Sequence, residues 1–127
     1  MANELILIVD DDPDMLASIG RAVRKAGYRT AVASDGAAAL AEISTNPPAL
    51  VVSDILMPPG INGFQLCRKL KSAETTRALP VILISGKTDP VDHFWAEEVG
   101  ARLLLRKPLD LPRLLAEITD GLTPAAS

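Results

Sequence analysis

The chain has 127 residues, of which 48% are apolar, and carries a net charge of −3. That is enough chain and apolar content for one folded domain with a real core, which excludes a disordered chain; the mild acidity gives no electrostatic reason to expect nucleic acid as a partner. No apolar run approaches the roughly 20 residues that span a bilayer, the N-terminus lacks the basic and long apolar stretches of a signal peptide, and a single cysteine excludes an internal disulfide, so the expected setting is a reducing cytoplasm.

The first strand is "LILIV", Leu5–Val9, apolar at every position as a strand buried on both faces should be. It runs straight into Asp10, Asp11, Asp12 and Asp14. Carboxylates this crowded repel unless they are solvated, used as helix caps or held by a cation. Pro13 marks a helix start, and Met15, Leu16, Ile19 and Val23 recur at helical spacing up to a stop at Gly27. Asp12 and Asp14 thus have a structural use, capping amides and favouring the dipole at that helix start. A second strand is expected over Thr30–Ala33, then a helix carrying Ala37, Leu40 and Ala41 inward. The third strand, Leu50–Val52, leads into "SDILMPPG", and the third helix follows with Phe64, Cys67 and Leu70. Cys67 between Leu66 and Leu70 reads as a buried thiol, with no nucleophile motif around it.

The fourth strand, Val81–Ile84, is followed by Ser85 and Gly86. Pro90 starts a fourth helix whose apolar positions are Val91, Phe94, Trp95 and Val99, stopped by Gly100. His93 on that helix has no ligand-spaced partner and reads as exposed. The fifth strand, Leu103–Leu105, precedes Lys107-Pro108. The last helix is N-capped by Asp110, has Pro112 in its first turn, buries Leu111, Leu114, Leu115 and Ile118, and stops at Gly121. The domain spans residues 1–122, and 123–127 form a C-terminal tail.

Strands alternating with helices imply a parallel sheet covered on both faces. Five such units in this length fit an α/β, flavodoxin-like doubly wound (βα)5 fold, with a five-stranded sheet in the order 2-1-3-4-5. In such sheets ligands bind at the carboxyl ends of the strands. Read together, those ends supply Asp10 and Asp11, Asp54, Ser85 with Gly86, and Lys107. Three carboxylates suit Mg²⁺, a hard cation that takes oxygen ligands and a phosphate oxygen. A hydroxyl, a backbone amide and an ammonium are the donors phosphoryl transfer needs. Carboxylates also serve as nucleophiles that form aspartyl phosphates.

Four motifs, "LIVDDDP", "VVSDILMP", "VILISG" and "LRKP", each after its own strand and in this order, resemble those of the receiver domain of two-component response regulators over nearly the whole chain. The resemblance implies that Asp54 accepts a phosphoryl group from the phosphohistidine of a sensor histidine kinase or phosphotransfer protein. Asp11 would bind Mg²⁺ directly and Asp10 mostly through water, with Asp54 and the Leu56 backbone carbonyl as further ligands. Lys107 would contact the phosphoryl group and the Asp54 carboxylate, the Gly86 amide the phosphate, and Ser85 would move to hydrogen-bond it. The Lys107-Pro108 peptide is cis in many such domains. "INGFQLCRKLK" and "LPVILISGKTDPVDHFWAEEVGA" are similar to stand-alone receivers of twitching-motility and chemotaxis-like systems, which points to a chemotaxis-type kinase as donor.

Three features depart from the pattern. Leu104 stands where the family usually has a Tyr or Phe that rotates with the Ser/Thr. "MPPGINGF" is one residue longer than the commonest loop. Leu56 and Lys87 fill the variable positions two residues after Asp54 and Ser85, beside the path of the water that removes the phosphoryl group. Trp95, Leu103 and Leu104 fall on the fourth helix and fifth strand, where receivers bind a downstream protein or dimerise; they either form that surface or fill the core beneath the helix, and an exposed apolar patch between Arg102 and Arg106 would mark an interaction site. The expected function is a single-domain response regulator, a monomer or a phosphorylation-dependent dimer, whose output passes through another protein and which turns over no metabolite. Two other readings stay open on the sequence. A pseudo-receiver would bind partners without a phosphoryl cycle. A haloacid-dehalogenase-type phosphatase would use Asp10 and Asp12 as its Asp-x-Asp pair, leaving Asp54 unexplained and lacking the chain for a cap.

Overall fold

The computed structural model describes residues 3–86 and 90–123. Five strands and five helices alternate without exception: β1 (Leu5–Val9), α1 (Pro13–Lys25), β2 (Arg29–Ala33), α2 (Gly36–Thr45), β3 (Leu50–Asp54), α3 (Gly63–Ser72), β4 (Val81–Ser85), α4 (Pro90–Glu98), β5 (Leu103–Arg106) and α5 (Leu111–Leu122). All pairings are parallel and the sheet order is β2-β1-β3-β4-β5. This is the doubly wound architecture expected. Lys87 and the tail beyond Thr123 lie outside the described residues.

The pleat divides the core in two. Leu7, Val9, Val51 and Leu83 point to one face, under α2, α3 and α4, where they meet Ile43, Leu66, Leu70 and Val99. Ile6, Ile8, Val52 and Ile84 point to the other, under α1 and α5, against Ile19, Val23, Leu114 and Ile118. The central strands β1, β3 and β4 are buried at every position, as their unbroken apolar runs require.

The starts of α1, α2, α3 and α5 are fixed by side-chain caps, each contributing about 1 kcal/mol. The Asp12 carboxylate accepts from the Asp14 amide at 2.9 Å and Asp110 from the Arg113 amide at 3.2 Å, as expected from sequence. Asp35 does the same for α2, and Asn62 with Gln65 forms a reciprocal capping box at α3. Gly27 and Gly100 do end α1 and α4, both with positive φ. Gly121 does not end α5. It lies within the helix, where a Cβ would sit 2.8 Å from Leu50 Cδ1, so glycine there permits close packing on β3.

Two helices present other faces than their apolar spacing suggested. α2 buries Gly36, Ala39 and Ile43, while Ala37 and Ala41 are exposed. On α4, Ala96 is buried, as is Val99 just beyond its end, while Val91, Phe94 and Trp95 face solvent. The β5 reading also needs correction. Leu104 is only 9% exposed and belongs to the core beneath α4, and Leu103 is half-buried on the opposite face. The run Arg102–Arg106 is therefore no exposed apolar edge, and Leu103 and Leu104 do not form one surface with Trp95. His93 is exposed, as expected.

Candidate functional site

Strand register brings the expected residues together. Val9 pairs with Ser53, Asp54 with Ile84, and Ser85 with Arg106. The ladder continues past the apolar runs, so Asp54 and Ser85 are the last residues of their strands rather than the first of their loops. Backbone bonds extend the alignment: the Asp10 amide donates to the Ala33 carbonyl at 3.1 Å, Ile55 to Ile84 at 3.0 Å and Lys107 to Ser85 at 2.8 Å. Asp10, Asp54, Ser85 and Lys107 are thereby set side by side along the carboxyl edge of the sheet.

Asp10 and Asp54 are buried, and Asp11 beside them is exposed. One carboxylate oxygen from each of the three lies within 4.8 Å of the others. Asp10 Oδ1 accepts from the Asp12 amide at 3.0 Å, and Asp54 Oδ1 from the Ile55 amide at 2.9 Å. The remaining oxygen of each faces Lys107, whose Nζ stands 3.4 Å from both. That is longer than a committed charge-assisted hydrogen bond, so the ammonium is shared between the two carboxylates.

The electrostatics follow from burial. Desolvation raises the Asp10 carboxyl above its ordinary value; desolvation and then the charge of Asp10 raise that of Asp54. Burial pulls the Lys107 ammonium down, but the charges of Asp54 and Asp10 outweigh it and leave it raised. With the groups ionised, three carboxylates against one ammonium leave an excess of two negative charges at one edge. Oxygen-only donors with that excess are what a divalent hard cation takes.

Ser85 is buried at the end of β4, and Gly86 follows in an open bend where a Cβ would have no atom within 4 Å. Leu56 lies two residues beyond Asp54 with its side chain 71% exposed, between the buried Ile55 and Met57. Lys107-Pro108 is cis, and so is Pro58-Pro59 in the long loop. Sequence reasoning missed Gly63, the first residue of α3. A Cβ there would collide with the Asp54 carbonyl oxygen and stand 2.9 Å from Ile55 Cα, while its amide donates to the Ile55 carbonyl at 2.8 Å. Gly63 thus seats α3 directly on the backbone that carries Asp54. Its place after Asn62 in "NGFQ" is the only signal the sequence offered. Asp12 is occupied as a helix cap, so the Asp10–Asp12 pair of the phosphatase reading is not assembled as a site.

Residues 6–119 match the response regulator receiver domain. The chain belongs to that family. Among relatives, this receiver is 38% identical to Protein PilH of Pseudomonas aeruginosa over 113 residues, covering 89% of this chain and 93% of that one. Among solved structures it resembles a putative response regulator from Chloroflexus aurantiacus at TM-score 0.89 and 31% identity, covering 94% of this chain and 98% of the other. It also resembles the Vibrio cholerae chemotaxis protein CheY4 at TM-score 0.89 and 26% identity, covering 95% and 100%. Receivers act in two-component signalling, with phosphorylation and Mg²⁺ binding typical of them. Among the described residues no helix is long and apolar enough to cross a membrane.

Proposed function

We propose that this receiver takes a phosphoryl group on Asp54 from the phosphohistidine of a sensor histidine kinase or phosphotransfer protein, and that the phosphorylated and free forms bind a downstream protein differently. The observation that carries this is the shared Lys107: one ammonium 3.4 Å from both Asp10 and Asp54, beside a third carboxylate, at the carboxyl edge of the sheet.

In the transfer, an Asp54 carboxylate oxygen attacks phosphorus. The P–N bond to the donor imidazole breaks, and its electron pair stays on that nitrogen. Lys107, already beside Asp54, neutralises the incoming phosphoryl oxygens. The Ile55 amide holds the other Asp54 oxygen and orients the nucleophile. Ser85 and the Gly86 amide stand at the next strand end as donors to the phosphoryl oxygens. Asp10, Asp11, Asp54 and the Leu56 carbonyl would hold Mg²⁺, which would supply positive charge against which an anionic donor could approach three carboxylates. Hydrolysis reverses the outcome: water attacks phosphorus, the bond to Asp54 breaks, and the carboxylate is regenerated with inorganic phosphate. The chain so acts on itself as a switch rather than turning over a metabolite. Similarity to PilH and to a chemotaxis protein supports a chemotaxis-type kinase as the donor.

Intact mass after incubation with acetyl phosphate tests the chemistry. One added phosphoryl group is expected, dependent on Mg²⁺, absent in Asp54→Asn, and lost on chelation followed by hydrolysis. A wild type that gains no mass with either acetyl phosphate or a phosphorylated kinase domain would leave a pseudo-receiver in its place.

A further inference from the structure

Four polar or charged side chains are buried among the described residues: Asp10, Asp54, Ser85 and Ser53. The first three belong to the site at the strand ends. Ser53 is fully buried and has no part in that chemistry. The pleat of β3 turns it to the same face as Val51, into the apolar layer beneath α3. A hydroxyl in such a layer is desolvated and adds less to the core than an apolar side chain, so its hydrogen bond has to offset that cost. Ser53 Oγ donates to the Asp54 carbonyl at 2.8 Å, and Sδ of the buried Met57 stands 3.8 Å from Ser53 Oγ.

That bond lies where the chain leaves the sheet. Asp54 is the last residue of β3, and three successive carbonyls enter the turn. The Asp54 carbonyl accepts from Ser53 Oγ. The Ile55 carbonyl accepts from the Gly63 amide at 2.8 Å. The next, that of Leu56, is the proposed Mg²⁺ ligand. Beyond it Met57 is buried and fastens the far side of the turn in the same apolar layer. Peptide planes are rigid, so a tied carbonyl sets the direction of the whole unit it belongs to. Tying the carbonyls of Asp54 and Ile55 and burying Met57 leaves the Leu56 carbonyl little freedom. Gly63 makes the second of those ties and Ser53 the first.

We propose that Ser53 is a positioning residue for the cation. Its hydroxyl, through the Asp54 carbonyl, fixes the turn that presents the Asp54 carboxylate and the Leu56 carbonyl together. The role rests on the proposed binding of Mg²⁺ by Asp10, Asp11, Asp54 and the Leu56 carbonyl. As a fully buried side chain, Ser53 acts through the backbone alone.

Isothermal titration of the unphosphorylated full chain with MgCl₂ reads this role without any phosphoryl transfer. Ser53→Ala should weaken Mg²⁺ binding by about tenfold, the size typical when a group that supports a metal ligand is removed. Ser53→Thr keeps the hydroxyl and should restore most of the affinity. Val23→Ala supplies the control for lost stability: it opens a cavity on the other face of the sheet, so it should lower the urea midpoint yet bind Mg²⁺ as wild type does. Equal affinity in wild type and Ser53→Ala, or Ser53→Thr no tighter than Ser53→Ala, would overturn the role of Ser53 and leave the cation site standing. A wild type that takes up no Mg²⁺ would overturn the cation site and this role with it.

Discussion

Cys67 sits on the buried face of α3 with Sγ 3.4 Å from the Val99 carbonyl oxygen. Burial pushes its thiol up from 9.0 to about 11. The thiol is protonated in both folded and unfolded chains below pH 9, so it costs nothing there. Above that the unfolded chain ionises first, and stability falls as pH rises toward the folded value. Across that window the loss is on the order of 2 kcal/mol. Urea midpoints measured from pH 8 to 11 should fall more steeply for wild type than for Cys67→Ala, although the variant starts lower because of its cavity. Leu56 is the opposite case, an apolar side chain left in solvent two residues from Asp54, the proposed phosphoacceptor. A leucine can neither donate to nor accept from the water that attacks the phosphoryl group. The phosphorylated wild type should outlast Leu56→Asn several-fold in a phosphate-release assay; equal lifetimes would mean that Leu56 does not face that water.

At the scale of elements, Gly63 is the strongest constraint on the site. Alanine there has to displace either α3 or the Asp54–Ile55 backbone, a cost of about 1–3 kcal/mol for overpacking. Gly63→Ala should lower the free energy of unfolding by that amount and slow phosphorylation by acetyl phosphate, while Gly86→Ala, with open space around it, should keep the wild-type stability. None of this was legible in the sequence, because the constraint on Gly63 comes from a strand end nine residues away in the chain. The strands were legible because β1, β3 and β4 each carry an unbroken apolar run. The ends of β3 and β4 were read two residues and one residue short because the ladder continues through Ser53, Asp54 and Ser85, where the apolar pattern has stopped. The inner faces of α2 and α4 were misread for one reason. α2 is apolar nearly all round, and α4 has a second apolar stripe, so spacing alone does not say which side meets the sheet. The acidic pair, Asp54, Ser85 and Lys107 were legible because each follows an apolar run; that Lys107 serves two carboxylates equally was not.

At the scale of the molecule, the site joins strand ends that are far apart in sequence through groups that repel one another. Asp10 and Asp54 are each raised by burial, and the charge of Asp10 raises Asp54 further. Holding both ionised opposes folding, and one shared ammonium offsets only part of that. A divalent cation that binds the assembled cluster and not the unfolded chain then stabilises the whole domain by mass action, by about 2.7 kcal/mol at a hundredfold excess over its dissociation constant. Thermal unfolding of wild type should therefore shift upward with added Mg²⁺, and not with the same concentration of Na⁺. Asp10→Asn makes the sign of the argument visible. With one buried charge removed, the variant should unfold at a higher temperature than wild type in chelator, and the two should converge or cross as Mg²⁺ is added. A variant less stable than wild type in chelator would show that the bond from Lys107 to Asp10 outweighs the repulsion between Asp10 and Asp54, and that the acidic edge is not strained without its cation.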